Sequence, residues 1–64
     1  MSFNKLDSLY DKLQNVINDT QNDVSKFVDG NNSDGSRVRK AMQAVKSLAQ
    51  DIRVEVQDQK NRQF

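Results

Sequence analysis

The sequence predicts an all-α fold, an antiparallel two-helix hairpin with coiled-coil character. Three observations lead there. Apolar residues recur every seven positions through both halves of the chain, no proline interrupts either half, and the two glycines stand close together at its middle. A hydrophobic content of 34% is low for a globule but suits thin helices that share a narrow seam.

The first helix is expected over about residues 3–28. Phe3, Tyr10, Ile17 and Val24 form one seven-residue series, and Leu6, Leu13, Thr20 and Phe27 form a second, displaced by three positions. Together they read as the two seam positions of a heptad. Leu9 and Val16 widen the stripe on one side, and Tyr10 is read as a core residue with its hydroxyl at the rim.

A turn at about 29–33 follows. In "DGNN", Gly30 can take the left-handed conformation that ends a helix, and Asn32 or Ser33, or later Ser36, can cap the next one. The second helix is expected over about 34–60. Its stripe runs through Met42, Val45, Ala49, Ile52 and Val56, with Val38, Ala41 and Leu48 beside it.

Each segment is about 25 residues, or roughly 37 Å of helix. A lone hairpin of this kind leaves half of each stripe uncovered, so two hairpins are expected to pair as a homodimeric four-helix bundle. Leu9, Val16, Ala41 and Leu48 are the expected second contact surface. Chains of 64 residues bury a marginal core, and with no cysteine or histidine neither disulfides nor structural zinc can reinforce it.

Composition also narrows the function. Without His or Cys, and with serines that have no evident activating partner, catalysis is not expected, nor is any cofactor, metal or small-molecule substrate. "GNNSDGSR" has the wrong glycine spacing for a phosphate-binding loop between strand and helix. No apolar run is long enough for a membrane span, and "MSFNKLDSLY" does not read as a signal peptide, so a cytoplasmic location is expected.

The net charge of +1 conceals an asymmetry. Residues 1–35 hold three Lys against six Asp, and residues 36–64 hold seven Lys or Arg against three acids, for −3 and +4. Opposite charges on the two helices serve their mutual recognition in one reading. A finer pattern suggests more. Arg39, Lys46, Arg53 and Lys60 stand seven apart with Gln43, Gln50 and Gln57 between them, a polar stripe that faces either the edge of the first helix or open solvent.

Arg37, Arg39 and Lys40 just past the turn are the sharper signal. Cations at a helix start oppose its dipole, so a bound anion would explain them. Arg and Lys neutralise phosphates, Gln and helix-start N–H groups donate to them, and Gly35 either loosens the loop or lets a backbone approach closely. No helix-turn-helix spacing or free aromatic suggests base readout.

The run "FVDGNNSDGSRVRKAMQAVKSLAQDIRVEV", with Gly30, Asn31, Gly35, Ser36, Arg37, Arg39 and Lys40 at its core, resembles the small bacterial linker-histone-like nucleoid proteins of the chlamydial type. The resemblance covers residues 27 to about 60 and implies DNA binding in the nucleoid. It assigns DNA contacts to Arg37, Arg39 and Lys40, with Lys46 and Arg53 as weaker ones, and places Ser36 where Ser or Thr is usual. Two features depart from the pattern. "NSD" stands between the glycines, where Asp34 would repel phosphate, and no lysine-rich tail follows "DQKNRQF", so binding is expected from the folded part. The competing reading is a helical oligomerisation or adaptor module that binds a protein partner.

Overall fold

The computed structural model describes residues 4–62, which form two helices, α1 (Lys5–Val28) and α2 (Asn32–Arg62), packed antiparallel along their length. The hairpin measures 52 × 22 × 11 Å. Phe3, at the expected start of the first helix, and Phe64 lie outside the described residues.

α1 is capped by Asn4, whose side chain accepts from the Leu6 N–H at 2.9 Å, satisfying one of the donors a helix start leaves free. It ends as the glycine predicts. Gly30 has φ +108°, the Asn31 N–H returns to the Lys26 carbonyl and the Gly30 N–H to the Phe27 carbonyl, each at 3.0 Å. This pair of bonds is the Schellman arrangement.

α2 begins at Asn32, ahead of the expected start, and Ser36 lies within it. The Asp34 N–H reaches the Asn31 carbonyl at 3.2 Å, so the first helical turn closes over residues with poor helix propensity. A carboxylate in that first turn favours the arrangement.

The seam differs from the expected one in which rows face inward. Leu6, Leu9, Leu13, Val16 and Thr20 of α1 face Val38, Ala41, Val45, Leu48 and Ile52 of α2, all at least half-buried. Leu9 is the one fully buried apolar side chain among the described residues. Thr20 is buried in the row as well, its hydroxyl donating to the Val16 carbonyl at 2.6 Å.

Leu9, Val16, Ala41 and Leu48 therefore belong to the contact between the two helices, and not to a second surface. Tyr10, Ile17, Val24, Met42 and Val56 are left uncovered instead, with Ala49 exposed among them, and Phe27, Val28 and Val54 are exposed elsewhere on the hairpin. The reason is geometric: two adjacent rows repeat with the same period of seven on each helix, and the mutual rotation of the helices selects which pair meets.

The open ends of the hairpin are joined by polar residues. Gln59 donates to Asn4 Oδ1 at 2.7 Å and to Glu55 Oε2 at 3.0 Å, while Arg62 donates to the same Glu55 oxygen at 3.0 Å. Lys5 Nζ stands 4.0 Å from Glu55 Oε1. Glu55 is buried, and the Gln59 hydrogen bond, with the charges of Arg62 and Lys5, holds its carboxyl below its ordinary pKa against the opposing effect of burial.

Candidate nucleic-acid interface

Positions on α2 sort by charge. Its four acids, Asp34, Asp51, Glu55 and Asp58, lie in the seam or along one flank, where Lys5, Leu9 and Val54 share a shallow depression with the last three. The outer face carries Arg39, Lys46, Arg53 and Lys60, interleaved with Gln43, Gln50 and Gln57; it holds no carboxylate, and all are exposed. Lys40, exposed as well, stands at its edge, on the helix line that continues to Asp51 and Asp58.

Among the described residues none of these five cations has an acidic partner within 4.0 Å; the ion pairs there are those of Lys5, Arg37 and Arg62. The stripe thus faces solvent and does not serve the edge of α1. Arg39 to Lys60 spans about 32 Å at about 1.5 Å per residue, with successive members of that row about 10 Å apart.

Near the turn, Ser36, Arg39, Lys40 and Gln43 line one shallow depression. Three residues singled out from the sequence therefore meet, joined by one amide of the stripe. They sit in the second and third turns of α2, because the helix begins at Asn32. Lys40 lies about 12 Å along the axis from that start. A helix dipole acts mainly within the first turn, so neither its penalty nor its free N–H groups explain these cations.

Arg37 is placed differently. Its guanidinium lies 3.8 Å from Asp23 of α1 and 3.7 Å from Asp34 one turn back, although its side chain is 68% exposed. The Asp34 side chain is 7% exposed, turned into the seam and away from any ligand on the outer face. Arg37 joins the two helices near the turn, an inter-helical role that sequence reasoning missed.

Gly35 lies inside α2 beneath the ring of Phe27. A Cβ there would stand 2.6 Å from Phe27 Cε1 and 2.8 Å from Cδ1, so the aromatic ring occupies the space that glycine leaves. That contact accounts for the missing side chain without an approaching ligand.

The family model described as histone H1-like protein Hc1 matches residues 7–62. The chain belongs to this histone H1-like family. The matched range takes in all of α2, the turn and α1 from Asp7 onward, including every outer-face cation. Membership supports a DNA-binding protein of the nucleoid, and the Hc1 family is histone-like and not a family of enzymes. No curated protein and no solved structure matches the chain. Among the described residues no helix is long and apolar enough to cross a membrane.

Proposed function

We propose that the protein binds duplex DNA without sequence preference, through the phosphate backbone, using the outer face of α2. The observation that carries this reading is the segregation of charge on that helix: five exposed cations with no acidic partner among the described residues, four of them on a face with no carboxylate and Lys40 at its edge, against four acids confined to the seam and one flank. Arg39, Lys40, Lys46 and Arg53 are the principal phosphate contacts, Ser36 and Gln43 donate hydrogen bonds beside them, and Lys60 extends the row. Arg37 contributes at its margin, since its charge is shared with Asp23 and Asp34. Gly35 acts through Phe27, whose packing sets the first turns of α2 against α1.

Such contacts position a helix along the backbone and carry no base information. The exposed aromatics Tyr10 and Phe27 are not among the residues lining the basic depression, which leaves stacking on bases no part in the proposal. Nucleoid localisation and a homodimeric state complete the reading. The uncovered row of Tyr10, Ile17, Val24, Met42 and Val56 supports self-association.

The test separates outer cations from the clasp. Replacing Arg39 and Lys40 by alanine is expected to weaken duplex binding about tenfold or more with little change in thermal stability. Arg37→Ala is expected to lower stability and change duplex affinity less, because it leaves the carboxylates of Asp23 and Asp34 without their partner. Unchanged affinity in the Arg39, Lys40 double variant would contradict the proposal.

A further inference from the structure

Two arginines of α2 are paired with carboxylates, and they are held in different ways. Arg62 donates to Glu55 Oε2 at 3.0 Å, a hydrogen-bonded ion pair. Arg37 stands 3.8 Å from Asp23 Oδ1 and 3.7 Å from Asp34 Oδ1. Both separations lie beyond hydrogen-bond reach, so neither acid takes up an N–H group of this guanidinium. Its charge is offset by the two acids while its donors stay free of them. The side chain is 68% exposed, which leaves its outer side open to solvent.

The two acids are set back from the outer face. The Asp34 side chain is 7% exposed and that of Asp23 23%. Little water screens carboxylates so placed, and their field acts on the neighbouring guanidinium more strongly than that of exposed acids would. Arg37 is also next to the basic depression. Lys40, one of the residues lining it, follows Arg37 by three positions, and side chains three apart on a helix are neighbours, with Cβ atoms about 5–6 Å apart. A phosphate held by Lys40 is thus close to a second cation with free donors.

We propose that Asp23 and Asp34 set the affinity for duplex by holding Arg37 in reserve: a phosphate beside Lys40 recruits this further cation only in competition with the two carboxylates. The proposal rests on the duplex-binding reading above, and it gives two acids of the hairpin an effect on DNA that neither exerts by touching it. A cation that meets phosphate adds to the salt-dependent part of binding only to the extent that its charge is not already neutralised within the protein. Arg37 therefore adds little in the parent chain, and removing the carboxylate charges makes it a full contact. The competition also runs the other way, since a duplex that takes Arg37 loosens the clasp between α1 and α2 beside the turn.

Duplex binding over a salt series tests this on the full chain. Asp23→Asn with Asp34→Asn is expected to raise affinity about three- to tenfold and to steepen the slope of log K against log salt by about 0.9, the value of one added phosphate contact. Asp11→Asn with Asp19→Asn changes the net charge equally at exposed positions of α1 and is expected to leave the slope unchanged. Arg37→Ala is expected to abolish the gain in the Asp23, Asp34 double variant while changing the parent little. Asp23→Asn alone, on α1, is expected to give a smaller gain of the same kind, and it carries the test if loss of the Asp34 charge unfolds the first turn of α2. An unchanged slope in the Asp23, Asp34 variant, an equal gain from the Asp11, Asp19 pair, or a gain that survives Arg37→Ala would overturn the proposal. A parent that binds no duplex even at low salt would instead overturn the phosphate-binding reading, and the reserve contact with it.

Discussion

Gly35 and Phe27 form a pair whose energetics can be separated. Glycine inside a helix costs about 1 kcal/mol relative to alanine, so an exposed helical glycine normally improves on substitution. Here a Cβ would meet the Phe27 ring at 2.6 Å, and displacing that half-exposed ring forfeits about as much or more. Gly35→Ala is therefore expected to leave the parent unchanged or destabilised, and to stabilise a Phe27→Ala background by about 1 kcal/mol in chemical denaturation. Equal stabilisation in both backgrounds would contradict the packing account. The glycine was visible in the sequence but its partner was not, because the contact depends on how the turn folds α2 back over Phe27. Arg37 is the same kind of case: the cation is evident, while Asp23 lies on the other helix and only the register brings them together. Arg39 and Lys40 were legible as candidates because exposure of a cationic stripe needs no tertiary partner.

The seven-residue spacing suffices to establish two helices, since no strand period fits a repeat sustained over four heptads. It does not identify the seam. Leu6 and Leu13 were placed in the contact, whereas Leu9 and Val16 were assigned to the flank and Tyr10 and Ile17 to the core; the structure exchanges the latter two pairs. Periodicity fixes the rows of a helix but not its rotation about its own axis. The polar end of the seam fixes the antiparallel register instead, through Asn4, Gln59, Glu55 and Arg62. Glu55 titrates below its ordinary pKa in the folded chain, so its contribution to stability is present above the unfolded value and lost as pH falls through the folded one. Thermal melts between pH 6 and 3 are expected to show stability falling with acidification, and Glu55→Gln is expected to reduce that fall while lowering stability at neutral pH. An identical pH dependence in parent and variant would contradict the role given to this carboxylate.

Across the whole molecule, a near-neutral chain separates its charges so that one helix presents an uninterrupted basic face. Halves of opposite sign suggest mutual recognition of the two helices. Yet of the two inter-helical ion pairs among the described residues, Lys5 with Glu55 joins a cation of the acidic helix to an anion of the basic one. Most of the excess positive charge is left free for an external anion, in keeping with membership of the histone H1-like family. The most direct measurement is binding to two duplexes of unrelated sequence over a series of salt concentrations, for the parent and for a variant with Arg39, Lys46 and Arg53 replaced by alanine. Similar affinities for both duplexes are expected, with log K falling against log salt at a slope near −3.6 if each chain neutralises about four phosphates, and a slope near −1 for the variant. A parent affinity that is insensitive to salt, strongly different between the two duplexes, or unchanged in the variant would contradict backbone binding by the outer face of α2.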